Sequence, residues 1–127
     1  MWENGYAESS FSVCKNERNI TVRIAMDCVH HWILGIQLLL YEKSDSVILH
    51  DTTASHKIRL CVKNGGYILS LADVNLQITQ NDLEALESLL LDYLMNRYFE
   101  GMHLDWECTE KGTNIRYDVT VSVDLPC

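Results

Sequence analysis

The feature that most constrains this chain is a period-two alternation of apolar side chains, repeated in separate segments. Ile115, Tyr117, Val119, Val121 and Val123 alternate with Arg116, Asp118, Thr120 and Ser122. Ile20, Val22, Ile24, Met26 and Cys28 alternate with Thr21, Arg23, Ala25 and Asp27, and Ile58, Leu60 and Val62 with Lys57, Arg59, Cys61 and Lys63. Successive strand side chains point to opposite faces, so each segment reads as a strand with one buried side. Several such strands must form a sheet whose apolar side another layer covers.

Turn chemistry pairs the strands. "NGG" at 64–66 joins the third segment to Tyr67–Leu71, because Asn and Gly readily take positive φ. "KNERN" links Phe11 and Val13 to the strand at Ile20, and "TEKGTN" links Leu104, Trp106 and Cys108 to the final strand. One helix is expected between them, at about residues 80–99. Thr79 and Asp82 have the spacing of a capping box in its acidic form. Leu83, Leu86, Leu90 and Leu94 follow at helical spacing, and Gly101 is placed to stop the helix. Its polar face carries Asn81, Glu84, Ser88, Asp92 and Asn96. Leu91, Met95 and Phe99 form a second apolar stripe, which predicts burial on a second side or an interface with another copy.

The expected fold is α+β: an antiparallel sheet of about six strands packed around one long helix, in a single domain spanning residues 1–127. "WILGIQLLLY", at 32–41, reads as a further buried strand on the strength of Gly35 and the strand pattern leading into it. "MWENGYAESS" has neither a basic nor an apolar region of a secretory signal, and the longest apolar run is half a membrane span. Five cysteines, an odd number with no CxxC pair, predict reduced thiols. Together these predict a cytoplasmic protein that does not enter a membrane.

Charge is distributed unevenly. Residues 1–64 hold seven basic and seven acidic side chains, whereas residues 65–127 hold three basic and eleven acidic ones, so the whole net charge of -8 arises in the second half. An acidic surface repels phosphates and attracts basic proteins, which predicts a basic protein partner and no direct nucleic-acid binding. Glu84, Asp92, Asp105, Glu107 and Asp118 are the expected steering charges, with Trp106 or Phe99 as apolar anchor. Alternation also turns Trp106 toward the core and its acidic neighbours toward water.

"DCVHHWILG", at 27–35, holds the densest group of chemically versatile side chains. On a strand, Cys28 and His30 share one face while Asp27 and His31 share the other. A zinc site needs three or four converging ligands, so His50, Asp51, His56 or Cys61 would have to join them. Their spacings match no metal motif, no strained nucleophile elbow surrounds a serine or cysteine, and "NGGY" lacks the lysine of a phosphate loop. No enzyme, cofactor or metal site is expected; a small metal-dependent enzyme using the histidines is the remotest alternative.

In size, thiol pattern, absence of a catalytic motif and run of acids from Asp82 to Asp124, the chain resembles the small acidic immunity proteins encoded beside bacterial toxins, including those of contact-dependent inhibition systems. The resemblance is one of class and carries over no functional residue. It implies an inhibitor that occludes a cognate toxin domain, such as a nuclease with a basic cleft. The alternative is a homo-oligomeric module, for instance a homodimer, joined through Leu91, Met95 and Phe99.

Overall fold

A computed structural model describes residues 6–8, 11–51, 56–96 and 103–124. The strands are β1 (Tyr6–Glu8), β2 (Phe11–Asn16), β3 (Asn19–Ala25), β4 (Ser46–Asp51), β5 (His56–Lys63), β6 (Gly66–Leu71), β7 (Val74–Ile78), β8 (His103–Glu110) and β9 (Arg116–Asp124). A 3-10 turn (Met26–Cys28) leads into helix α1 (Val29–Leu40), and helix α2 (Gln80–Asn96) lies between β7 and β8.

All the strands join one sheet in the order β1-β4-β5-β6-β7-β8-β9-β3-β2. From β4 to β9 every neighbouring pair is antiparallel. The β2–β3 hairpin then docks on β9 through a parallel β3–β9 ladder, and β1 adds in parallel to β4. The eight strands of five residues or more bend into a nearly closed, barrel-like sheet. At the seam β2 returns against the start of β5, where the Phe11 and His56 rings lie 6.5 Å apart.

Alternation decides which face is inside. Ile20, Val22 and Ile24 of β3, Ile58 and Leu60 of β5, Trp106 and Cys108 of β8, and Tyr117, Val119 and Val121 of β9 are all buried. Helices α1 and α2 cover this face: Trp32 of α1 and Leu83 and Leu86 of α2 meet Val22, Leu60, Trp106 and Val121 around one small apolar void. The helices also pack on each other. At the start of α2 the capping box is complete: Thr79 Oγ1 accepts from the Asp82 N–H at 3.1 Å, and Asp82 Oδ2 accepts from the Thr79 N–H at 2.9 Å. Among the described residues no helix is long and apolar enough to cross a membrane.

The expected architecture, about six antiparallel strands around one long helix, is corrected on three counts. The sheet holds nine strands rather than six, because β1, β4 and β7 join it. It is mixed rather than antiparallel, since β1–β4 and β3–β9 are parallel. Two helices line it rather than one, and α2 is described to Asn96.

The physical reason lies in residues that hold unusual backbone conformations without advertising them. Most of 32–41 is α1, not a strand; Val29, Trp32, Ile33, Ile36 and Leu39 are buried at helical spacing. The segment is apolar nearly all round, so its periodicity is weak, and Gly35 is buried mid-helix. Its end is a Schellman arrangement in which the Glu42 N–H donates to the Leu39 carbonyl and the Lys43 N–H to the Leu38 carbonyl. Glutamate, not glycine, takes the left-handed position there, with φ 58°. The β6–β7 turn likewise uses Ala72 and Asp73 at φ 48° and 64°, where Asn-Gly would be the recognisable pair. By contrast, Asn64 and Gly65 give the β5–β6 turn its expected positive φ values of 45° and 83°.

Two substitutions test these readings by urea denaturation. Thr79→Ala should cost about 1 kcal/mol by removing the cap. Glu42→Gly should gain about 1 kcal/mol by relieving a left-handed non-glycine residue; a loss of stability would show that the turn stores no strain.

Candidate functional site

Residues Glu84 and Asp92 lie on the outward side of α2, both exposed. With helical geometry, Glu84, Ser88, Leu91 and Met95 follow one another at i, i+4, i+7 and i+11, so they form one stripe with Asp92 beside it. Leu83, Leu86, Leu90 and Tyr93 occupy the opposite, buried side. Met95 is 81% exposed and Leu94 39%, while Leu91 is half-buried. The stripe therefore carries charge toward its N-terminal end and uncovered apolar surface toward its C-terminal end. Gln80 Nε2 donates to Glu84 Oε2 at 3.3 Å and orients that carboxylate. Phe99 lies outside the described residues.

Asp105, Glu107 and Asp118 come together elsewhere. They project from the outer face of β8 and β9, where Glu107 stands directly opposite Asp118. Thr120 Oγ1 donates to Asp105 Oδ1 at 2.7 Å, and His103 Nε2 lies 3.2 Å from Asp105 Oδ2. Arg116 pairs with Glu107. Because both partners are largely exposed, that pair adds little stability, but it cancels one charge of the group. Trp106 turns inward between its acidic neighbours and is only 7% exposed. It belongs to the core and offers a partner no anchor.

The sheet thus separates the acids that the sequence places together. Glu84 and Asp92 sit on the helical layer, over the concave face, while Asp105, Glu107 and Asp118 sit on the convex face. Large exposed apolar side chains favour the helical side: Leu34 of α1, Tyr41 at its C-cap, and Leu94 and Met95 of α2 account for four of the five among the described residues.

The histidine-rich stretch forms the entry to α1. His30 is exposed and His31 half-buried, with ring centroids 4.1 Å apart. Burial, then the charge of His30, lowers the His31 pKa, and Asp27 opposes the shift in part. His50 and His56 lie on opposite faces of β4 and β5, since His50 faces Lys57 in the ladder and Asp51 faces His56. Among the described residues, no three His, Cys, Asp or Glu side chains gather as a metal would require.

Sequence reasoning missed a sizeable concavity among the described residues. A cleft of about 680 Å³ opens at the seam of the sheet, between β2, the start of β5 and the β6–β7 turn. Lys15, His56, Lys57 and Arg59 line it, with Asp73 the one acid among its described lining residues. Its residues come from segments 13–15, 56–59 and 70–75, and no local motif marks them. Only the alternation of β5, which turns both Lys57 and Arg59 to one face, was readable beforehand.

Cys14, Cys61 and Cys108 are free thiols. Cys108 is buried beneath α2, and burial, with smaller contributions from the Asp82 and Asp118 charges, pushes its pKa from an ordinary 9.0 up to about 12. Compared with family models, curated proteins and solved structures, the chain matches none.

The Cys108 shift has a definite sign. Below pH 9 the thiol is neutral in both folded and unfolded chains; between pH 9 and about 12 only the unfolded chain releases the proton, so stability drains away over that window. Native protein at pH 8 should be alkylated by iodoacetamide at Cys14 while Cys108 stays unmodified, read by peptide mass spectrometry. Cys108→Ala should also lose less stability than wild type between pH 8 and 10.5; equal losses would mean that the thiol is not held neutral.

Proposed function

We propose that this protein is a binding protein of the immunity type: an inhibitor that captures a basic partner, such as a nuclease toxin domain, and blocks it by occupation. The observation that carries this reading is the outward stripe of α2, where Glu84 and Asp92 share a face with the exposed Met95. Carboxylates there speed encounter with a cationic surface, and the apolar end supplies desolvated contact once the surfaces meet. Carboxylates stand in for the phosphates that a nuclease cleft is built to hold. Asp105, Glu107 and Asp118 extend the negative field on the other side of the sheet. Being separated from the stripe, and partly neutralised by Arg116, they act at a distance and not as contact residues. The anchor role passes from Trp106 to Met95.

The same stripe gives the second reading, a homodimer joined through Leu91 and Met95, because Met95 is too exposed to serve the monomer's own core.

The test is binding to, and inhibition of, the product of the adjacent gene. Glu84→Lys with Asp92→Lys should slow association about tenfold in low salt, and added salt should narrow the gap. Met95→Asp should leave the association rate nearly intact and speed dissociation about tenfold. An unaffected association rate in the double variant would remove α2 as the steering face. Sedimentation over a concentration series decides the dimer, which Met95→Asp should dissociate.

A further inference from the structure

We propose that the seam cleft is a second binding site, independent of α2, for a small organic anion: a phosphate or carboxylate head carried on an apolar body. The cleft's volume of about 680 Å³ falls within the range of small-molecule sites. It stands where the nearly closed sheet fails to meet.

The lining divides by chemistry. Val13, Leu71 and Val74 provide an apolar floor, with Leu71 and Val74 themselves buried. Lys57 and Arg59 project from the same face of β5, about 7 Å apart along the strand. Neither has an acidic partner within salt-bridge distance among the described residues. Lys15 lines the same cleft from β2, with its ammonium 5.7 Å from the Tyr117 ring centroid. Three cations against one acid, Asp73, is the reverse of a chain with eighteen acids and ten bases. Such a concentration of positive charge in a concave, partly apolar site raises the local concentration of anions.

The far lip is fixed. Ser70 Oγ donates to Asn75 Oδ1 at 2.6 Å across the β6–β7 hairpin, and Ala72 and Asp73 hold left-handed conformations at its tip. His56 also lines the cleft, and its Nδ1 is buried with no hydrogen-bond partner among the described residues. An anionic head would sit between Lys57 and Arg59, where Arg59 presents two parallel donors to a phosphate or carboxylate. The apolar body would lie on Val13, Leu71 and Val74.

The full chain is titrated with 8-anilinonaphthalene-1-sulfonate, an anion with an apolar body whose fluorescence rises on leaving water. Two variants of equal charge change are compared: Lys57→Glu with Arg59→Glu in the cleft, and Lys43→Glu with Lys111→Glu outside it. Wild type should bind saturably at one site. The cleft variant should bind at least about tenfold more weakly, and the outer variant should match wild type. Displacement by adenosine 5′-monophosphate identifies a phosphate head, and displacement by hexanoate a carboxylate head. Circular dichroism establishes that each variant is folded, and Lys57→Gln with Arg59→Gln replaces the glutamate pair if that pair unfolds. Absence of saturable binding, equal weakening in both variants, or displacement by neither anion overturns the proposal.

Discussion

Everything in this molecule depends on covering one curved apolar surface. The inward side chains of β3 to β9 form a continuous concave face, and a single sheet cannot shield it from water. Two helices do so. Helix α1 is apolar nearly all round because it packs on both the sheet and α2. Helix α2 has one buried side, so it presents a second side to solvent, and that side carries the exposed Met95 and the charges of Glu84 and Asp92. The curvature that wraps the helices also brings β2 back toward β5 without closing the gap completely. Candidate docking face and candidate cleft are both products of the same burial requirement.

The sequence was readable wherever a local rule has a single outcome. The alternation of Ile20–Ile24, Ile58–Leu60 and Tyr117–Val121 identifies strands and their inward faces correctly, although Val62 is exposed; Asn64-Gly65 identifies a hairpin, and Thr79 with Asp82 identifies a helix start. It was unreadable where residues break the usual preference. Glu42 ends α1 in a conformation normally left to glycine, and Ala72-Asp73 makes a tight turn without the residues that mark one, so α1 and β7 were hidden. The parallel neighbours of β3 and β4 were hidden for another reason: pairing between distant segments leaves no local trace.

The charges illustrate the limit of counting along a chain. Acids crowd the second half of the sequence, yet Glu84 and Asp105 fall on opposite sides of the sheet once α2 crosses the concave face. Alternation separates Trp106 from Asp105 and Glu107 just as firmly, sending the indole inward and the carboxylates outward. Cations drawn from β2 and β5 line the cleft at the seam, although residues 1–64 as a whole sum to zero charge. The result is a strongly anionic protein with a localised cationic hollow.

The parallel ladder between β3 and β9 joins residues 99 positions apart, Asn19 with Asp118 through Ala25 with Asp124. Closing so long a loop adds little to the equilibrium cost, which grows only with the logarithm of length. It slows folding, because contacts so remote in sequence reward the chain late. During synthesis the β2–β3 hairpin emerges early, and its inward row of Ile20, Val22 and Ile24 waits for a neighbour that is made last. Until β9 pairs with β3, that strand has an open edge and an uncovered apolar row, the kind of surface that makes folding intermediates prone to aggregate.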